Sequence, residues 1–444
     1  MTRKAITLRV SLLAIIILSG AVLRYAFNLE TVIDNPIRGD GAYYVIYANN
    51  LLEYSTFSKD KDNIPPVPDS YWSPGYPAFL ALMIKASRFL GINNYNLVLS
   101  SQLVLGLLTI LLCYQVSKSL LPGYWPLLPA GLAAASPHLV SLGQLLLSET
   151  LFGFLMLASV YALIRGLGTK RDSWIYTAGG GFALTYLVNP VSLFLAPLLA
   201  LMYVWQAAKT GDAPRATRLV KAIMIMGPVI IVATAWSVRN AISVPETSPG
   251  ASDRLLTNLI IGMQRDYHSV WRANMRDPNN PATLDADRIQ GSYSNFLRVL
   301  AARTSAQPAS MMKWYGLQKP YLLWDWDMRV GLGDIYIFPI HTSLYHNSKP
   351  ALLSYIVMRA THFWLITAAI LGTIFLFRKN SDESANAAMI YGCLFYVSLV
   401  YVVTQAEPRY SIPLRSELYI CATYFLWNTV ESYKRFKGKP PAAI

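Results

Sequence analysis

The chain is poor in charge and in cysteine. Only 14% of its 444 residues are charged and 54% are apolar, whereas an ordinary soluble chain carries roughly 25% charge. That balance excludes a soluble enzyme and a disordered scaffold. The three cysteines, Cys113, Cys393 and Cys421, lie inside apolar runs and far from any Cys or His cluster, which excludes a disulfide framework and argues against zinc. They read as small core residues. HExxH, GxSxG and paired CxxC motifs are missing, so the residues assign no metal and no Ser-His-Asp triad. The Gly-rich stretch AGGGFALTYLV at 178–188 lacks the Lys-Ser/Thr of a phosphate loop and reads as a close-packing segment of a span.

Apolar runs of about 20 residues, each long enough to cross roughly 30 Å of hydrocarbon, recur along the whole sequence. Ten spans are expected, at 6–27, 95–117, 124–142, 146–166, 174–189, 191–206, 221–238, 351–377, 386–405 and 411–430. The basic start MTRK keeps the N-terminus in the cytoplasm. A cleaved signal peptide competes with the first span, but Ser19-Gly20-Ala21 is a poor cleavage site, and Arg24 with Tyr25 resembles an interfacial stop. With both ends inside, the cytoplasmic ends and loops hold seventeen Lys or Arg against five Asp or Glu. The formal net charge of +14 is then mainly a topology signal with some attraction to anionic lipid, and not a nucleic-acid footprint.

Two polar segments fall outside the membrane in this layout. Residues 28–75 hold seven acidic and three basic residues. They run into a short apolar stretch carrying Lys85 and Arg88, expected at 76–91 as an amphipathic helix lying flat in the outer interface. Residues 239–350 are helix-compatible at 253–275 and 285–304 and end in the aromatic-rich KWYGLQKPYLLWDWDM. The expectation is an all-α polytopic membrane protein in three parts. These are a transmembrane module at 1–238 that includes the first outer loop 28–94, an outer region at 239–350, and C-terminal spans with a basic tail at 351–444.

Four charged groups from distant stretches share the outer level. Asp40 follows a glycine and opens a helix whose Tyr43, Tyr44 and Tyr47 line one face; it reads either as a helix cap or as a general base. Glu149 begins a span, where a carboxylate is costly unless paired or functional. Arg239, followed by Asn240, ends another span, and Arg409 sits in the turn AEPRYSIP before Tyr410. Snorkelling arginines and, for Asn189, a turn asparagine are the plain alternatives. Together the set suits a substrate with a phosphate at the headgroup level, since guanidinium groups bind phosphate oxygens and a carboxylate activates an attacking hydroxyl.

The ordered motifs D-G-A-Y-Y (40–44), W-S-P-G-Y-P (72–77), S-E-T-L-F (148–152), N-P (189–190), W-S-V-R-N (236–240) and E-P-R-Y-S-I-P (407–413) resemble the GT-C glycosyltransferases, closest to the protein O-mannosyltransferase and aminoarabinose transferase families. The resemblance implies transfer of a sugar from a polyprenyl-phosphate donor to an extracytoplasmic hydroxyl acceptor on lipid, glycan or protein. It implies inversion at the anomeric carbon and an active site on the periplasmic or lumenal face. It carries the general base onto Asp40, the second carboxylate onto Glu149 and the donor phosphate onto Arg239 and Arg409. Tyr43, Tyr44, Tyr76, Asn189, Asn240 and Tyr410 complete the expected substrate site. The sequence reads D-G where many relatives read D-E, and no lysine stands in W-S-P-G-Y-P, which leaves the phosphate to the arginines.

The aromatic run with Trp314, Tyr315, Tyr321, Trp324 and Trp326 is a secondary candidate as an acceptor platform beside its plain reading as an interfacial belt. The residues compel no cofactor, and a divalent cation between Asp40 and phosphate stays open. No N-x-Ser/Thr sequon occurs in the outer loops, which leans toward a bacterial inner membrane. A polymerase or ligase using a diphosphate-linked glycan and a lipid-linked sugar transporter remain as competing functions.

Overall fold

The computed structural model describes residues 3–169, 171–211, 214–265, 277, 279–328, 333–376 and 382–438. Among them, seven helical segments are long and apolar enough to cross a membrane: Lys4–Glu30, Asn94–Ser117, Glu149–Thr169, Pro190–Lys209, Arg215–Ser243, Lys349–Leu376 and Glu383–Val403. They correspond to seven of the ten expected spans. The protein is an all-α integral membrane protein.

In chain order the helices are α1 Arg3–Glu30, α2 Asp40–Tyr54, α3 Gly75–Leu90, α4 Asn94–Ser117, α5 Leu127–Ala135, α6 Pro137–Leu142, α7 Glu149–Thr169, α8 Asp172–Val188, α9 Leu195–Thr210 and α10 Arg215–Ser243. They continue with α11 Ala251–Gly262, α12 Pro281–Ile289, α13 Tyr293–Ala306, α14 Pro308–Lys313, α15 Lys319–Leu323, α16 Leu344–Asn347, α17 Lys349–Gly372, α18 Asp382–Val403, α19 Pro408–Ser411 and α20 Arg415–Phe436. A two-stranded antiparallel ribbon pairs β1, Val32–Ile33, with β2, Ile340–Thr342. It ties the start of the first polar segment to the end of the second.

The three other expected spans differ for physical reasons. The stretch 124–142 is broken at Ser136, because Pro137 restricts the residue before it and cannot donate its own amide. The break leaves carbonyls at the end of α5 without helical partners, which is untenable inside a bilayer unless something donates to them. Arg24 does so. It is buried against α5, donating from Nη1 to Ala134 O at 3.1 Å and from Nη2 to Ala133 O at 3.1 Å. The expected interfacial stop at Arg24 is therefore corrected to an internal cap. Segment 174–189 forms the 17-residue α8, packed against α7 and α10. Segment 411–430 becomes two short turns and α20, whose buried Arg415 donates to Asp325 O at 3.4 Å and lies 3.1 Å from His362 Nδ1.

Helix α3 matches the expected amphipathic element. Tyr76, Leu80, Ile84 and Ser87 repeat at helical spacing and are buried along one face, whereas Leu82, Phe89 and Leu90 are exposed. In the second polar segment, the expected helix at 253–275 is observed as α11 and ends at Gly262; residues 266–276 lie outside the described ones. The expected helix at 285–304 is two helices, α12 and α13, parted where Gln290 and Gly291 take positive φ.

Candidate active site

Three chain segments that are far apart in sequence converge at one end of the bundle. Asp40 is the first residue of α2, Glu149 the first of α7, and Arg409 lies in the single turn of α19. An acid in the first turn of a helix is favoured by the helix dipole, so both carboxylates suit the positions from which they project. The approach of α19 to α7 depends on Gly153, one turn beyond Glu149. A Cβ there would come within 2.9 Å of the Pro413 carbonyl oxygen, so only glycine lets the 412–414 turn press against α7.

Arg409 joins the two acids. Its Nη2 lies 2.6 Å from Asp40 Oδ2 and its Nε 2.8 Å from Glu149 Oε1. One planar guanidinium thus spans two carboxylates with separate edges. Burial opposes the charge on Arg409, but the Glu149 and Asp40 carboxylates outweigh it and hold the guanidinium pKa well above its ordinary value. Asp40 retains 27% side-chain exposure against 8% for Glu149, which makes Asp40 the carboxylate an incoming hydroxyl can reach. Glu149 Oε2 is buried with no hydrogen-bond partner among the described residues.

Around this bridge lies a small polar pocket. Tyr44, Ser148, Glu149, Asn189, Arg409 and Tyr410 line it, together with Arg254. Asn189 accepts from Val191 N at 3.1 Å and donates to the Tyr401 hydroxyl at 3.0 Å; its turn role and its place at the pocket coexist. Tyr410 stacks on Tyr401 with ring centroids 4.7 Å apart, and burial pushes its phenol up to about 12. Burial first, and then the Asp40 carboxylate, also raise the Tyr44 phenol. Both hydroxyls are neutral donors at ordinary pH.

Arg254 was not legible as a site residue. It lies in the first half of α11 with its guanidinium 3.7 Å from the Trp72 ring centroid. Among the described residues its side chain has no hydrogen bond and no ion pair. The sequence SDRLL offers no mark that separates this arginine from others in the same polar segment.

Other expected residues stand elsewhere. Arg239 donates from Nη1 to Asp69 O at 2.9 Å and to Asn240 Oδ1 at 3.0 Å, and from Nη2 to Phe57 O at 3.2 Å. It therefore fastens the first polar segment to the end of α10, and neither it nor Asn240 lines the pocket. Tyr43 is exposed and stacks on Trp72 at 6.3 Å, and Tyr76 is buried with its hydroxyl on Gln102 Oε1 at 2.9 Å. The aromatic run is divided, with Tyr321 exposed and Trp324 half-buried. Trp314 and Trp326 are buried, and the indole N–H groups of Trp314, Trp324 and Trp326 donate to Gly262 O, Ser398 Oγ and Asp334 Oδ1. Among the described residues no cluster of three or more His, Cys, Asp or Glu is placed to hold a metal ion.

No protein-family model and no curated protein sequence matches the chain. Solved structures do. The archaeal oligosaccharyltransferase AglB from Archaeoglobus fulgidus, in complex with an inhibitory peptide and a dolichol-phosphate, superimposes with a TM-score of 0.51 at 12% identity, over 100% of this chain and 53% of that one. The chain shares the fold of this oligosaccharyltransferase. The same archaeal enzyme tethered to an acceptor peptide matches equally, with a TM-score of 0.51 and 12% identity over 97% of this chain and 50% of that one. ArnT from Cupriavidus metallidurans bound to undecaprenyl phosphate gives a TM-score of 0.37 at 14% identity, over 91% and 78% of the two chains. The chain spans about half the length of the oligosaccharyltransferase structures it matches.

Proposed function

We propose that the protein is a membrane glycosyltransferase that moves one sugar from a polyprenyl-phosphate donor to a hydroxyl of an extracytoplasmic acceptor, in a bacterial inner membrane with the pocket facing the periplasm. The observation that carries this reading is the bridge Asp40–Arg409–Glu149 beside Arg254, which has no ion pair among the described residues. Two guanidinium groups at one pocket suit a phosphate, and an accessible carboxylate suits a hydroxyl proton. The fold's likeness to AglB, whose solved complex contains a dolichol-phosphate, supports the class of donor.

In the reaction, the donor phosphate sits between Arg254 and Arg409. Phosphate oxygens compete with Asp40 for Nη2 of Arg409, so seating the donor frees the base. The acceptor hydroxyl gives its proton to Asp40 as its oxygen forms a bond to the anomeric carbon on the side opposite the phosphate. The bond from that carbon to the phosphate oxygen breaks, polyprenyl phosphate departs, and the configuration inverts. The arginines take up the charge that grows on the leaving group. Glu149, through its unpartnered Oε2, orients the acceptor, and Tyr44, Asn189 and Tyr410 supply neutral hydrogen bonds to sugar hydroxyls.

The test is a transfer assay with purified protein, polyprenyl-phosphate sugars and hydroxyl acceptors. Asp40→Asn is expected to lower kcat by about 10²–10⁴-fold, the usual worth of a general base, with an unchanged melting temperature. Full turnover in that variant would remove Asp40 as the base.

A further inference from the structure

The helix carrying Arg254 and the turn carrying Arg409 are joined by one buried knot. Gly262 ends α11, eight residues after Arg254, and a Cβ on it would overlap the Thr404 carbonyl and lie 3.1 Å from the Lys319 ammonium. Thr404 directly follows α18 and precedes Arg409 by five residues. Lys319, the first residue of α15, is fully buried. Its Nζ donates to Thr404 O at 2.7 Å and to Val403 O at 3.5 Å, and stands 4.3 Å from the centroid of the Tyr315 ring. Trp314 closes the knot by donating from Nε1 to Gly262 O at 3.0 Å. An apolar cluster of Trp314, Leu322, Leu323 and Ala406 backs it, and Tyr401 and Tyr410 of the pocket pack on that cluster.

We propose that Lys319 is a positioning residue that fixes the separation of Arg254 and Arg409, and with it the width of the phosphate cradle. The proposal rests on reading the pocket as a lipid-phosphate site. The last carbonyls of a helix have no intrahelical donors, and a cation is favoured at that end. Lys319 uses this preference to seize the end of α18 while resting against the end of α11. A buried ammonium is a costly choice for mere packing, since an apolar side chain would fill the same space without desolvation. Burial pushes this amine down to about 7, and the two carbonyls offset part of that penalty. Two groups that must grip one phosphate together lose much of their effect when their spacing wanders by an ångström or so.

Lys319→Met keeps the length of the side chain and removes its donors. Nitroxide labels on cysteines introduced at Thr257 and Val403, both exposed, report the spacing of the two elements by pulsed dipolar spectroscopy, the native cysteines being buried. The expected result is a narrow distance distribution in the parent, a broad one in Lys319→Met, and recovery in Lys319→Arg. Trp314→Phe, which drops the bond to Gly262 and keeps a ring, is expected to broaden the distribution as well, at a lowered melting temperature because the Gly262 carbonyl is left without this donor. In calorimetric titration with polyprenyl phosphate, Lys319→Met is expected to bind about tenfold more weakly, the worth of one charge-assisted contact. In the transfer assay the loss falls on the donor KM and not on kcat. An unchanged distribution or an unchanged lipid-phosphate affinity in Lys319→Met overturns the proposal. A parent protein that binds no polyprenyl phosphate sinks the lipid-phosphate reading instead, and the distance measurement still decides whether Lys319 sets the spacing.

Discussion

Arg239 and Arg409 look alike in the sequence, each standing at the polar end of an apolar run, yet the structure employs them differently. Arg239 donates to the backbone carbonyls of Asp69 and Phe57, whereas Arg409 lies between the Asp40 and Glu149 carboxylates. A carbonyl held by arginine is a structural tie, because breaking it strands a polar backbone group. A carboxylate held by arginine can be exchanged for a phosphate, since both are anions with the same bidentate geometry. The partner, more than the arginine, separates a fastening from a site.

Substitutions can break this contrast. Arg409→Met is expected to have the largest effect, lowering kcat/KM by about 10²–10³-fold, the scale seen when a charge-stabilising donor is removed from a transition state. It also leaves Asp40 and Glu149 facing each other without a cation, so its melting temperature falls as well. Arg254→Met follows, with a donor KM raised about tenfold by loss of one charged contact and a melting temperature within error of the parent, since among the described residues its guanidinium stacks on Trp72 and makes no ion pair. Arg239→Met is expected to do the reverse. It loses about 1 °C in melting temperature per kcal/mol of lost tie in a chain of this length, while the folded fraction keeps the parent's donor KM. A raised donor KM in Arg239→Met with native stability would restore Arg239 to the phosphate site and erase the contrast. The smallest effect is expected from chelation. Arg409 already serves as the cation between the two carboxylates, so EDTA leaves the transfer rate unchanged.

Much of the fold was readable because bilayer thickness imposes itself on the sequence as length. Seven expected spans appear as helices within six residues of their predicted ends, and the amphipathic α3 appears where its short apolar stripe put it. The break at Ser136 was not readable as a break, because its consequence is met through space by Arg24 from a helix more than a hundred residues earlier. The same divide runs through the site. Asp40, Glu149 and Arg409 could be grouped because each is a charge placed against an apolar run at one expected level. Arg254 belongs to a polar segment where arginines are ordinary, and only the fold of α11 brings it over Trp72 and into the pocket. The tryptophans near 314–326 show the converse: a sequence displays aromatic rings but not which way they face, and here their indole N–H groups find partners within the protein.

The most direct measurement is a structure of the protein determined with a polyprenyl phosphate bound. The account predicts phosphate oxygens within hydrogen-bonding distance of both Arg254 and Arg409, with Nη2 of Arg409 withdrawn from Asp40. A phosphate seated on Arg239, or one bound while the Asp40–Arg409 contact persists unchanged, would contradict it.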